Sequence, residues 1–157
     1  MNMEAPNHNF LDTCLFFTTN AFSRQLLKLA EIEFKPLRLS PAHASLLLLV
    51  FDTPGIGPKE LSRLLCLTPS TITRFIDSLA KKKLVSRKAK GKSVLIFPTQ
   101  KSLDLQAAIA MAYKRLYLRY SRILGPTSAM DLSHRISKAN GKIMETFDNW
   151  EDNETLF

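Results

Sequence analysis

The chain has 157 residues, a mass of 17.8 kDa and a net charge of +8. Its apolar fraction of 45% and charged fraction of 23% are ordinary for one globular domain and argue against disorder. The longest apolar run, Leu46 to Phe51, is far shorter than the roughly 20 residues that cross a bilayer, so we expect no membrane segment. With two cysteines and no Lys or Arg in the first ten residues, we expect a cytoplasmic protein.

The excess positive charge is concentrated in the middle of the sequence. Residues 59–101 hold eleven Lys and Arg but only two acidic residues, Glu60 and Asp77, and the rest of the chain has slightly more acids than bases. Charge gathered in this way indicates a polyanionic partner. The alternative interpretation is a solvated surface that only keeps the protein in solution, and the concentration in one segment disfavours it.

The first part of the chain predicts two helices. Apolar residues at helical spacing indicate a long helix from Phe10 to about Phe34, which the Lys35-Pro36 pair ends. Ser40-Pro41 has the form of an N-cap followed by proline at the first helical position. The helix from Pro41 to about Phe51 is apolar nearly all round, so we expect it to be buried at the centre of the fold.

The central segment predicts two short helices and a hairpin. Gly57-Pro58 begins a helix that ends near Cys66, and Thr68-Pro69 begins the next. Two short helices joined within a few residues are typical of a helix-turn-helix. Two β-prone runs, residues 84–89 and 93–97, then flank a basic tip at Lys90-Gly91-Lys92.

Two long helices close the sequence. Thr99 caps a fifth helix, Gly125-Pro126 breaks it, and a sixth helix follows with apolar residues in steps of three and four. The first helix and these last two carry apolar stripes that a chain of this size has little core to cover. A second copy of the chain covers them best, so we predict a homodimer; the alternative is packing within one chain.

The predicted fold is therefore mainly α (α+β), a winged helix-turn-helix with N- and C-terminal dimerisation helices. The whole chain, residues 1–157, forms one such unit. Residues 41–98 are the predicted DNA-binding lobe, and residues 10–35 and 99–152 are the predicted dimerisation helices.

The fourth helix has one face suited to DNA. On a helical wheel, Ile72, Phe75, Ile76 and Leu79 form a stripe to be buried, and hydroxyls and a guanidinium occupy the opposite face. Arg74 is the best candidate for reading a base, because a guanidinium binds O6 and N7 of guanine together; a phosphate contact or a salt bridge is the alternative. The predicted DNA-binding residues are Thr68, Ser70, Thr71, Thr73, Arg74, Lys81, Arg87, Lys88, Lys90 and Lys92.

Several of these residues have a second interpretation. For Ser70, Thr71 and Thr73 it is local capping or contact with solvent. Asp77 repels phosphate, so we expect it to face a basic neighbour instead of DNA. The basic hairpin tip is expected to reach phosphates or a minor groove, and a charged strand edge that discourages aggregation is compatible with this role.

The stretch from Glu60 to Arg87 resembles the core of the MarR family of winged-helix transcription regulators, and the Ser40-Pro41 and Pro98-Thr99 pairs fit the same layout. The resemblance implies an obligate dimer on a pseudo-palindromic operator. It often implies an effector pocket between the dimer zone and the DNA-binding lobes, for which Cys14 and His43 are the candidates.

Three features depart from the family pattern. The wing is short and lacks the family's Asp-x-Arg motif, so the family's minor-groove arginine has no assigned counterpart here; Arg87, Lys90 and Lys92 are the candidates to substitute for it. Cys66 stands where the helix-turn-helix often has glycine. Cys14 is similar to the reactive cysteine of organic-hydroperoxide sensors in the family, but the tyrosines that support that cysteine are missing, because the first tyrosine is Tyr113.

These observations predict a dimeric, sequence-specific regulator of transcription that binds double-stranded DNA, expected to be a repressor released by a small-molecule effector. Arg115, Arg119 and Arg122 share one helix face and are a further candidate for an anionic effector; pairing with the acidic C-terminal tail is the alternative. A winged-helix module that binds protein or RNA, and a redox sensor acting through Cys14, stay open. The sequence shows no motif of an enzyme, cofactor site or metal site, so we predict none.

Overall fold

The computed structural model describes the backbone of residues 10–151 and the side chains of residues 10–147. This part of the chain is mostly helical, with a two-stranded antiparallel sheet, so the predicted fold class is confirmed. Of the described residues, those from Phe10 to Leu116 belong to one compact unit and those from Tyr117 to another. The elements are α1 (Phe10–Thr13), α2 (Leu15–Phe34), a 3-10 helix (Lys35–Leu37), α3 (Pro41–Asp52), α4 (Pro58–Leu65), α5 (Pro69–Lys81), β1 (Val85–Lys90), β2 (Ser93–Pro98), α6 (Gln100–Leu103), α7 (Gln106–Leu124) and α8 (Pro126–Glu151).

Two predicted helices are each divided in two. The expected helix from Phe10 is interrupted at Cys14, whose backbone is extended. The Thr18 hydroxyl donates to the carbonyl oxygen of Cys14 at 3.0 Å, and such local bonds from threonine compete with regular helix geometry. The helix capped by Thr99 is also shorter than expected: Thr99 and Ser102 form a reciprocal capping box, but the turn ends at Leu103 before α7 begins.

The core is built around α3, as its sequence predicts. Leu46, Leu47 and Val50 are fully buried, and each such side chain contributes about 1.5–3 kcal/mol when removed from water. Neighbouring elements contribute one or more fully or almost fully buried side chains each, namely Phe34, Leu61, Ile72, Ile76, Leu79, Ile96 and Ile109. The core therefore joins α2 and α7 to the winged helix-turn-helix within the first unit.

The connection between α3 and α4 adds a third segment beside the hairpin. Ile56 forms a bridge with Ile96 of β2, and the backbone N–H of Gly55 donates to the Ile96 carbonyl oxygen at 2.8 Å. Gly55 has a φ of +91°, and a Cβ atom built there lies 3.1 Å from Cζ of Phe97. Both the backbone conformation and the close contact with Phe97 disfavour a side chain at this position.

The second unit contains the end of α7 and α8. Among the residues of α8 whose side chains are described, Ala129 is buried, while Ile136 and Ile143 are 42% and 51% exposed. The predicted apolar stripe is thus present but open to water over the described residues. Trp150, the last residue of the predicted stripe, and the acidic residues from Asp148 onward lie outside the described side chains. None of the helices within residues 10–151 is long and apolar enough to cross a membrane.

Replacing Gly55 by alanine should destabilise the first unit. The left-handed backbone costs an L-residue about 1–2 kcal/mol, and the close contact with Phe97 adds to this cost. Urea denaturation measures the change in the free energy of unfolding. Gly141→Ala is the control, because nothing lies within 4 Å of its Cβ position and alanine favours a helix by about 0.5–1 kcal/mol. Equal stability of Gly55→Ala and the wild type would contradict the analysis.

Candidate nucleic-acid interface

The helix-turn-helix forms where it was predicted. Cys66 follows α4 with a φ of +52°, the left-handed conformation that glycine adopts most easily. Its N–H donates to the Arg63 carbonyl oxygen at 3.3 Å, and the N–H of Leu67 donates to that of Ser62 at 3.1 Å. These bonds close the end of α4, so the cysteine in place of glycine is compatible with a tight turn into α5.

We call α5 the recognition helix. Its first turn contains a cluster of hydroxyl groups. The Thr68 hydroxyl accepts from the N–H of Thr71 at 3.3 Å and lies 3.1 Å from the Ser70 hydroxyl. Thr73 donates to the Pro69 carbonyl oxygen at 3.0 Å. The predicted capping role is therefore present, and the exposed hydroxyl oxygens retain further acceptor capacity.

Arg74 is exposed on the outward face of the recognition helix. Its contact among the described residues is one long hydrogen bond, from Nη2 to the Thr71 hydroxyl at 3.4 Å. A guanidinium has five N–H donors, so most of them are available to a ligand. The salt bridge to Asp77, considered as the alternative for Arg74, is not formed in the described structure.

Asp77 pairs instead with Arg87 of β1. This agrees with the expectation that Asp77 faces a basic neighbour. Both side chains are nearly half exposed, at 47% for Asp77 and 42% for Arg87. The pair joins the recognition helix to the base of the wing. Arg87 was predicted to bind DNA. Its pairing with Asp77 was not predicted, because a partner ten residues away, across a turn, gives no periodic signal in the sequence.

The wing presents its lysines in two ways. Lys88 lies over the ring of Phe97, with Nζ 4.7 Å from the ring centroid, so part of its charge faces the protein. Lys90 and Lys92 are exposed on either side of Gly91, whose φ is +59°. Neither of these two ammonium groups has a hydrogen bond or ion pair to another described residue. The tip is therefore a pair of solvated cations.

An open groove of about 430 Å³ lies beside the recognition helix. Ser78 and Lys82 are not among the predicted DNA-binding residues, although their spacing of four and eight residues from Arg74 places them on its side of the helix. The groove is lined by Arg74, Asp77, Ser78, Lys81 and Lys82.

Both acidic residues of the basic segment are paired with arginines. Arg63 binds Glu60 through two hydrogen bonds, Nε to Oε2 at 2.9 Å and Nη2 to Oε1 at 2.6 Å. These bonds lower the pKa of Glu60 below its ordinary value. With Asp77 paired to Arg87, each of the two carboxylates has an arginine as its counter-charge.

The two candidate pocket residues lie on different elements. Cys14 is the half-buried N-cap of α2, and its contacts are backbone hydrogen bonds. Nδ1 of His43 lies 2.6 Å from the Ser40 hydroxyl oxygen, within hydrogen-bond distance. The His43 ring packs on the ring of Phe75, with the two centroids 4.6 Å apart. Its Nε2 atom is buried without a hydrogen-bond partner among the described residues. No hydrogen bond or ring contact joins Cys14 to His43, so a shared pocket stays a prediction.

One arginine on the arginine face of α7 already forms an ion pair within the protein. Arg115 donates from Nε to Oε2 of Glu33 at 2.9 Å, and the Glu33 carboxylate is almost fully buried. This pair ties α2 to α7 within the first unit. Arg119 and Arg122 belong to the second unit, and an anionic effector on this face stays a prediction.

The fold and the charge of the candidate site place this chain among winged helix-turn-helix proteins with a cationic outward face. Residues 39–92, from the residue before the α3 N-cap to the wing tip, match the model of the MarR family. The predicted resemblance to that family is thereby confirmed over this region. No curated protein matches the chain.

Solved structures show that the fold is shared over most of the chain. A MarR protein from Peptoclostridium difficile has a TM-score of 0.76 at 21% identity, covering 95% of this chain and 96% of that one. CouR from Rhodococcus jostii, bound to p-coumaroyl-CoA, has a TM-score of 0.72 at 19% identity, with coverage of 82% and 93%. A cysteine mutant of MarR from E. coli, complexed with operator DNA, has a TM-score of 0.74 at 19% identity, with coverage of 83% and 96%.

Charge reversal tests the link between recognition helix and wing. Asp77→Lys and Arg87→Glu should each destabilise the protein, and the double variant should recover part of the loss, because it restores an ion pair in the opposite sense. A pair this exposed is worth about 0.2–1 kcal/mol. Urea denaturation of the four proteins gives the coupling energy. Strictly additive losses in the double variant would show that the pair contributes nothing.

Protonation of His43 should reduce stability at low pH. Burial lowers the pKa of His43, and the Lys82 ammonium lowers it further. The unfolded chain therefore binds a proton first, near pH 6.5, so the contribution of His43 is complete above that pH and declines as the pH falls below it. His43→Gln should lose less stability than the wild type between pH 7 and pH 5, measured by urea denaturation. Replacement of the exposed His134 is the control, and identical slopes for His43→Gln and the wild type would refute the assignment.

Proposed function

We propose that the protein is a dimeric, sequence-specific DNA-binding regulator of transcription, a repressor in the cytoplasm that a small-molecule effector releases. The observation that carries this proposal is the outward face of the recognition helix. It combines Arg74, Lys81 and exposed hydroxyls in one stretch of a helix-turn-helix, and it lies in a segment whose two carboxylates are already paired.

The chemistry of this face suits the major groove. An α-helix fits that groove, and a guanidinium there recognises guanine through two parallel hydrogen bonds. The lysines neutralise phosphates, and the first turn of the recognition helix adds N–H donors and the positive end of the helix dipole. In this arrangement Arg74 reads a base and Lys90 and Lys92 bind the backbone or the adjacent minor groove.

A second copy of the chain accounts for the exposed apolar side chains. In the first unit, Leu15 and Phe16 at the start of α2 are 73% and 78% exposed. In the second unit, Ile136 and Ile143 of α8 are also open to water. Large apolar patches on a soluble protein mark interfaces. We assign residues 10–35 and 99–152 to a dimer interface and residues 41–98 to the DNA-binding lobe, so that two lobes meet two half-sites of one operator.

The similar structures extend the proposal to a ligand. One neighbour is bound to p-coumaroyl-CoA and another to operator DNA. The fold can therefore bind a small molecule and can bind operator DNA, and a repressor released by an effector requires both abilities. The effector must also bind the DNA-free conformation more tightly than the DNA-bound one. We propose Cys14 and His43 as the first positions to examine for effector contact.

Selection of duplexes from a random-sequence pool tests the proposal, followed by fluorescence anisotropy across a range of salt concentrations. Arg74→Ala should lose about 1–3 kcal/mol of discrimination at one base pair, because its bidentate contact is removed. Lys90→Ala should weaken binding to all duplexes about equally and reduce the slope of log K against log salt by about 0.9.

Arg135→Ala is the matched control for the loss of a positive charge, since this arginine lies on α8, outside the DNA-binding lobe, in an ion pair with Asp131 at 2.8 Å. Because α8 belongs to the proposed dimer interface, the variant is first checked by sedimentation to be as dimeric as the wild type. It should leave base discrimination unchanged. Enrichment of no sequence by the wild type would contradict the proposal, and tighter binding to RNA or to a protein partner would favour the alternative use of the winged helix.

A further inference from the structure

The three lysines at the end of the recognition helix differ in what their ammonium groups touch. Nζ of Lys82 donates to the backbone carbonyl of Arg38 at 3.0 Å, 44 residues earlier in the chain. Within residues 10–147, no hydrogen bond or ion pair engages the ammonium of Lys81 or Lys83. Identical side chains in consecutive positions therefore have different surroundings: one is held by the protein and two are open to water.

The turn that follows the recognition helix is also held from the other side. Nζ of Lys101 donates to the carbonyl oxygen of Lys82 at 2.9 Å. The Thr99 hydroxyl donates to the carbonyl oxygen of Lys83 at 2.8 Å. Lys83 has a φ of +58°, a conformation that costs an L-residue energy. The end of the recognition helix is thus fixed between the turn after the 3-10 helix and the start of α6.

Arg74 and this fixed end belong to the same helix, so a tilt at one moves the other. Arg74 lies eight residues before Lys82, which is about 12 Å along the helix axis. A tilt of about 10° around the C-terminal end moves Arg74 by roughly 2 Å, given that helical rise. An N–H···O bond tolerates a variation of only about 0.5 Å in length, so such a tilt breaks a bidentate contact.

We propose that Lys82 is a positioning residue for DNA recognition: its hydrogen bond to the Arg38 carbonyl sets the angle of the recognition helix, while its neighbour Lys81 binds a DNA phosphate. This inference rests on the proposed DNA-binding function and adds a division of labour within the lysine run. The groove that both residues line is compatible with it, because Lys82 lines the groove while its ammonium donates to the Arg38 carbonyl oxygen.

The test compares Lys82→Met with Lys81→Met, since methionine keeps an apolar stem and removes the charge. Each variant is titrated by fluorescence anisotropy against a duplex selected by the wild type from a random pool and against a scrambled duplex of equal length, over a salt series. Lys81→Met should weaken both duplexes by the same factor and make the salt slope shallower by about 0.9. Lys82→Met should weaken the selected duplex about tenfold, the scale of one hydrogen bond from a charged group, with the scrambled duplex and the slope unchanged.

Lys101→Met provides a second route to the same answer. It removes the other tie to this turn, from α6, and should reproduce the pattern of Lys82→Met; it decides the question if Lys82→Met does not fold by circular dichroism. Equal weakening of both duplexes with a shallower slope in Lys82→Met would make Lys82 a phosphate contact and overturn the inference, with DNA binding intact. Failure of the wild type to select any duplex would overturn the proposed function itself, and this inference with it.

Discussion

The recognition helix is oriented by the burial of its apolar face. Ile72 and Leu79 are fully buried and Ile76 almost so, against a core centred on α3. Rotation of this helix about its axis would expose these side chains to water, at about 1.5–3 kcal/mol each. The opposite face, with Arg74 and Lys81, is therefore kept on the outside by hydrophobic packing, which fixes the rotation of the helix about its own axis.

Electrostatics then refine what the packing has oriented. The two carboxylates of the basic segment each bind an arginine, and neither binds Arg74. The Asp77–Arg87 pair also joins the wing to the recognition helix, so one ion pair both removes a negative charge from the interface and connects two elements of it. Ion pairs this exposed contribute little to stability, and their value here is the arrangement of the cations that remain.

The parts of the fold that follow local rules were predicted well. Proline and an N-cap hydroxyl mark the starts of α3 and α5, and the boundaries of α4, α5 and the hairpin lie within a residue or two of the expected positions. The breaks at Cys14 and after Leu103 were missed, because apolar periodicity continues across both. The bridge from Ile56 to Ile96 was missed because strand pairing through a single residue leaves no pattern in a sequence.

The candidate site shows the same division. Helical and hairpin spacing predicted that Arg74 and the tip lysines face outward, and the structure places them on the surface. The partners of Arg87, Lys82 and Arg115 were not found, since they lie 10, 44 and 82 residues away in the chain. Contacts over such distances depend on tertiary packing, so sequence spacing identified which residues carry charge but not which charges the protein itself uses.

Hydroxyl-radical footprinting of the wild type on a selected duplex tests the central claim most directly, when combined with the stoichiometry of the complex from sedimentation. Two recognition helices on one dimer predict two protected tracts about 10 base pairs apart, centre to centre, or a multiple of that spacing, with two chains per duplex. A single protected tract with one chain bound, or uniform protection along the duplex, would contradict the account.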